Sequence, residues 1–153
     1  MERKERKNMF KHLLIPIDGS PRARKALRAG VTFAREVGAK VTAYHALEVI
    51  PPYYGQGFLA PSALVPLEAA ARKHAKKYFD EAARIASAAG VSCGSQISKP
   101  ATVYQGIIDA ARKNKCDVIF MASHGHTELA SIVLGSVTDK VLAHSKIPVV
   151  VFR

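Results

Sequence analysis

Residues 117–138 read DVIFMASHGHTELASIVLGSVT. The first seven form an apolar run with little polar alternation, the pattern of a strand buried on both faces of a parallel sheet. The run ends at Ser123-His124-Gly125, and nine residues later comes Gly135-Ser136, where a helical pattern starts. Gly125 permits positive φ and lets a backbone N–H approach a ligand closely. A helix that opens at Gly135-Ser136 aims free N–H groups and the positive end of its dipole at whatever stands before it. Strand, glycine loop and helix N-terminus together suit an anion. The plainer reading is two tight turns, with Ser136 as an ordinary N-cap.

Outward from this stretch the chain repeats the same alternation. HLLIPID (12–18), KVTAYHALEV (40–49), VSCGSQIS (91–98) and PVVVF (148–152) are further apolar runs. Between them, residues 21–37 carry Ala23, Leu27, Val31, Ala34 and Val37 at helical spacing. Ser20 is the N-cap candidate there, Pro21 fits the first turn and Gly38 the stop. Helices are also predicted over 67–89, 102–114 and 136–145. The order β-α-β-α-β-α-β-α-β predicts an α/β fold: a single open doubly wound five-stranded parallel sheet with helices on both faces. A basic N-terminal arm (1–11) precedes one domain (12–153). Residues 50–66, IPPYYGQGFLAPSALVP, read as an irregular connection. They form either a lid or a surface loop packed down by Tyr53, Tyr54 and Phe58.

At 153 residues the chain buries enough surface to fold without disulfides or metal. No apolar run approaches the ~18 residues of a membrane span, and the charged start lacks the apolar core of a secretory signal. A cytoplasmic location is expected, with Cys93 and Cys116 as reduced thiols in or near the core. The formal net charge of +11 permits attraction to anions, nucleic acid included. No nucleic-acid module accompanies it, so that reading ranks last.

In a doubly wound sheet ligands bind at the carboxyl ends of strands where the strand order reverses. The first strand ends Pro16-Ile17-Asp18-Gly19-Ser20 and the fourth ends Met121-Ala122-Ser123-His124-Gly125. If these strands are neighbours, the two ends share one crevice. Asp18 then accepts hydrogen bonds from a ligand or, more simply, caps its own turn.

At these residues the sequence resembles the universal stress protein family. That family carries a loop Gly-x2-Gly-x9-Gly-Ser/Thr after its fourth strand and an Asp after its first. Gly125, Gly135 and Ser136 match the loop, and LLIPIDGS and IPVVVF match the chain ends. Ala122 stands where the first loop glycine belongs. The resemblance implies a Rossmann-like fold of the adenine nucleotide alpha hydrolase type and a site for ATP, with Mg²⁺ on the phosphates. In that site Pro16, Ile17 and Asp18 frame the adenosine, Ala46 meets adenine through its backbone, and Met121 packs on the nucleoside. Ala122 stands beside it, and His124, Gly125, Gly135, Ser136 and Val137 line the phosphates. It further implies a homodimer through residues 148–152, a regulatory role in stress response, and a protein partner that the sequence does not name.

No metal-ligand spacing, Walker lysine or nucleophile elbow is present, so no catalytic residue is assigned. Ser123, His124 and His126 lack an acidic orienter, and His124 reads as a wall of the site. His45 reads as a core or rim residue, and His12, His74 and His144 as surface residues. The alternative to nucleotide binding is a nucleotide-free dimer that acts as an interaction scaffold, with Ala122 as its sequence support.

Overall fold

The computed structural model describes residues 8–48, 53–54, 57–124 and 134–153. The elements in chain order are β1 (His12–Pro16), α1 (Pro21–Val37), β2 (Lys40–Ala46), β3 (Tyr53–Tyr54), β4 (Gly57–Phe58) and α2 (Pro61–Ala88). Then follow β5 (Cys93–Ser98), α3 (Val103–Lys113), β6 (Val118–Ala122), α4 (Ser136–His144) and β7 (Val149–Phe152). Five strands form one sheet in the order β5-β2-β1-β6-β7, and every neighbouring pair is parallel. β3 and β4 make a separate antiparallel ribbon.

The sheet divides the core in two because successive side chains on a strand point to opposite faces. Leu13, Ile15, Val41, Ala43, Val118 and Phe120 face Leu27, Val31 and Ala34 of α1 and Ala82 and Ala86 of α2. Leu14, Tyr44, Ile119 and Met121 face Ile107, Ala110 and Ala111 of α3 and Val141 of α4. Helices therefore cover both faces, as the unbroken apolar runs predict. α1 begins and ends where its sequence signals stand. Ser20 Oγ accepts from the Ala23 N–H at 3.1 Å, Pro21 opens the helix, and Gly38 closes it at φ 70°.

Three expectations need correction. α2 starts at Pro61, not at 67, and takes in Pro66. A proline at the first helical position is tolerated. Pro66 lies further in, where its missing N–H removes the rung to the Ser62 carbonyl. The stretch 50–66 thus divides into the β3–β4 ribbon and the opening of α2. Phe58, in the ribbon, is 71% exposed. His12 is not a surface residue. It is buried, with Nε2 2.8 Å from Thr42 Oγ1 on the neighbouring strand. The third correction, at Ser136, belongs to the site.

Of the basic arm, residues 1–7 lie outside the described residues. Residues 8–11 are tied to the domain. Asn8 Nδ2 donates to the Val37 carbonyl, the Phe10 ring lies against that of Phe33 at a tilt of 52°, and the Lys11 N–H donates to Asp117 at 2.9 Å. Both cysteines are free, Cys116 buried and Cys93 half-buried. Burial pushes both thiols up, that of Cys116 to about 11.

Candidate functional site

The strand order reverses between β1 and β2 on one side and β1 and β6 on the other. β1 and β6 pair directly, Leu13 beside Val118 and Leu14 beside Ile119. Their carboxyl ends therefore adjoin, as the reading of the two strand ends requires. A cavity of about 550 Å³ opens at this point.

The cavity gathers residues from four separate segments. β1 and its turn supply Pro16, Ile17 and Asp18, and β2 supplies Ala46. β6 supplies Met121 and Ala122, with His124 just beyond, and the first turn of α4 supplies Ser136 and Val137. Two predicted residues do not appear on this wall. Gly125 lies outside the described residues, as does His126. Gly135 is not a lining residue; its N–H donates to the Ser123 carbonyl at 2.7 Å.

Gly135 is also the N-cap of α4, at φ −72°, and Ser136 is the first helical residue rather than the cap. The chain is already extended at Gly135, so the helix begins one residue earlier than a serine cap would place it. A second hydrogen bond, from Thr138 Oγ1 to the Ala122 carbonyl at 2.9 Å, ties the first turn of α4 to the end of β6. The two ends of the loop are thus held together at its base. Ala122 itself lies in β6 opposite Phe152 of β7. Lys115 is the one non-glycine residue at positive φ among the described residues, so Ala122 carries no left-handed strain. Replacing a glycine by alanine here costs no backbone energy of that kind.

The turn after β1 gives Asp18 the capping role and also sets it on the cavity wall. Asp18 Oδ1 accepts from the Ser20 N–H at 2.9 Å, while the same residue lines the cavity. Gly19 between them has φ 78°. A methyl at Gly19 would collide with the ring of Tyr78, which comes across from α2. On the other side Ser123 Oγ lies 2.9 Å from His124 Nδ1, and both side chains are buried.

A fifth segment on the cavity is α2, which the sequence reading did not assign. Leu64, Glu68, Ala71, His74 and Tyr78 line the cavity at steps of three and four residues, so they share one helix face. The spacing is legible in the sequence, but the stripe mixes charge and apolar residues and gives no amphipathic signal. Glu68 receives Arg72 at 3.1 Å and Lys99, just past β5, at 3.2 Å. The Arg72 and Lys99 hydrogen bonds hold its carboxyl below the usual range. No α2 residue ahead of Ala75 is buried. Below Tyr78 stands His45, half-buried and facing the ring at 5.4 Å and 66°. His45 Nδ1 lies 2.8 Å from the Ile17 carbonyl. Among the described residues no three His, Cys, Asp or Glu side chains are placed to hold a metal, and no helix is long and apolar enough to cross a membrane.

A profile of the universal stress protein family matches residues 9–153. The chain belongs to the universal stress protein family. It is 31% identical over 145 residues to a universal stress protein of Thermus aquaticus, covering 95% of this chain and 100% of that one. It is 30% identical over 150 residues to a universal stress protein of Methanocaldococcus jannaschii, covering 95% and 84%. Among solved structures, the universal stress protein UspA of Lactobacillus plantarum has the same fold, with a TM-score of 0.80, 23% identity and coverage of 94% and 98%. Universal stress proteins have also been solved with adenine nucleotides. One from Archaeoglobus fulgidus holds dAMP (TM-score 0.64, 21% identity, coverage 95% and 99%). One from Arabidopsis thaliana holds AMP (TM-score 0.67, 12% identity, coverage 93% and 90%).

Proposed function

We propose that this universal stress protein binds ATP at the β1–β6 crevice and acts as a cytoplasmic, homodimeric regulatory module whose state follows the nucleotide. The observation that carries the reading is the convergence of Ile17, Asp18, Ala46, Met121, His124 and Ser136, from four segments of chain, on one cavity. Its volume lies within the ~300–1,000 Å³ range of small-molecule sites. The residues suit the group. Ile17 and Met121 offer apolar surface to a base, and Asp18 offers an acceptor to hydroxyls. Ser136 and the backbone N–H groups at the start of α4 offer donors to phosphate. His124 stands beside them, with Ser123 on its Nδ1. Mg²⁺ would enter on the phosphates and add charge neutralisation there. Relatives solved with AMP and dAMP support an adenine nucleotide as the ligand class.

The dimer is proposed through β7. This strand is at the edge of the sheet, and Val149–Phe152 are only half-buried in the single chain. An apolar edge left open invites uncontrolled pairing, and a second copy would cover it.

Calorimetry with ATP and magnesium on nucleotide-stripped protein tests the site. Micromolar binding is expected, lost in Gly135→Val and weakened in Asp18→Ala with the fold kept. Equal affinity in both variants overturns the site assignment. An absence of binding in the unaltered protein points instead to the nucleotide-free scaffold. Sedimentation of the same samples reads the dimer.

A further inference from the structure

His45 makes one side-chain hydrogen bond among the described residues, from Nδ1 to the Ile17 carbonyl at 2.8 Å. A carbonyl oxygen only accepts, so Nδ1 carries the proton. In the neutral ring the proton cannot also sit on Nε2, which is left as a lone-pair acceptor. The ring lines the cavity, half-buried between Ile17 and Ala46 on the sheet side and Tyr78 on the helix side. The Tyr78 contact is a ring contact and supplies no donor to Nε2. On the cavity wall that acceptor is open to the donor of a water or of a ligand, and a ligand that displaces the water keeps its affinity only if it supplies a donor in turn.

We infer that His45 selects the ligand, with Nε2 accepting a hydrogen bond from an N–H or O–H of its nucleoside half. This rests on the nucleotide reading of the same cavity. The distribution of polar groups agrees with it. The β1–β2 end of the cavity carries the His45 ring and the Asp18 and Glu48 carboxylates, with Lys99 on the same wall. The start of α4 carries the N–H groups of a helix N-terminus. A ligand with hydroxyls or an exocyclic amine at one end and phosphates at the other matches the first group with His45, Asp18 and Glu48 and the second with α4.

Two sources of the donor are possible in a nucleotide, the base amine and the ribose hydroxyls, and analogues separate them. Affinities are measured for ATP, 2′-deoxy-ATP, 3′-deoxy-ATP and purine riboside triphosphate, in the unaltered protein, His45→Phe and His45→Asn. Phenylalanine keeps a ring against Tyr78. Asparagine keeps a donor to Ile17 but has no atom in the place of Nε2. The unaltered protein is expected to lose about 3–10-fold toward the one analogue that lacks the donor. Both variants are expected to bind ATP about 3–10-fold more weakly and to show no further loss for that analogue. Equal weakening toward all four ligands, or none, overturns the inference while leaving nucleotide binding in place. If the unaltered protein binds none of the four, the nucleotide reading fails and this inference falls with it. Nitrogen-15 spectra of the ligand-free protein give an independent arm. Protonated Nδ1 with bare Nε2 is expected, and the reverse tautomer overturns the assignment whatever binds.

Discussion

The Thr138 hydroxyl donates to the Ala122 carbonyl at 2.9 Å, so a residue in the first turn of α4 holds the last residue of β6. Beside it the Gly135 N–H reaches the Ser123 carbonyl at 2.7 Å. These two bonds fix where the start of α4 stands relative to the strand end, whatever the loop between them does. Thr138→Val keeps the shape and removes the donor. It is expected to cost about 1 kcal/mol, or about 2–4 °C in Tm for a chain of this size. Thermal melts read the stability loss. Calorimetry on the same variant is expected to show a weaker nucleotide, and unchanged affinity would mean that the helix start is held by other means.

Gly19 is the tightest point of the β1 turn. Its φ of 78° strains any side chain, and the Tyr78 ring occupies the space a methyl would take. Gly19→Ala is expected to cost about 1–2 kcal/mol from conformation alone, with a further loss as Tyr78 is displaced. Gly57→Ala is the control, because a methyl there meets nothing within 4 Å. Urea unfolding of the pair should separate them clearly; coincident midpoints would show that the turn can relax.

The buried His12 makes stability depend on pH. Burial, and next the charge of Lys40, hold its imidazole below the ordinary value of 6.5, against the opposing pull of Asp117. The unfolded chain therefore takes up the proton more readily than the folded one. The contribution is complete above pH 6.5 and is lost as pH falls through 6.5 toward the folded value. Urea midpoints followed from about pH 8 to about pH 5 are expected to fall in the unaltered protein. The slope should be shallower in His12→Gln, which keeps a polar group for Thr42. Parallel slopes would assign the acid loss to other groups.

The roof of the cavity is held more weakly than its floor. Residues 61–72 of α2 bury nothing and contain Pro66, and Ala60 provides no capping side chain. Their ties among the described residues include the exposed pairs of Glu68 with Arg72 and Lys99, which solvent screens and which hold little at such exposure. Amide hydrogen exchange is expected to be faster in 61–72 than in 75–88 without ligand. Glu68→Gln should speed the first segment and not the second. Uniform protection along α2 would show that the roof is as firmly held as the core.

Much of this site was legible because the chemistry lies at strand ends. LLIPI and VIFMA are apolar throughout, so their last residues mark where a doubly wound sheet exposes its carboxyl edge. Asp18, His124 and Ser136 sit there in the sequence as in the fold. The helix over 67–89 was legible, but the first turns of α2 and its cavity face were not, for a physical reason. Its inner stripe of Leu64, Glu68, Ala71, His74 and Tyr78 faces a cavity rather than the core, so selection for apolarity does not mark it. Pro66 also imitates a helix breaker. His12 misled because Lys11 and Lys40 surround it with charge, although the first residue of a central strand is buried by its neighbours. The N-cap of α4 shifted by one residue because glycine carries no side-chain cap and Ser136 resembles one.

The central position of β1 also governs when the site can exist during folding. β1 pairs early in the chain with β2, but its other partner, β6, is far along the sequence. The bond from the His12 N–H to the Asp117 carboxylate spans 105 residues. Closing so long a loop is entropically costly, and contacts of this range form slowly. The β1–β2 half of the crevice can assemble from the first third of the chain, whereas the α4 half must wait for β6 to dock. A chain released or cleaved before residue 117 would keep Asp18, Ala46 and the α2 wall and would lack β6 and the start of α4 opposite them.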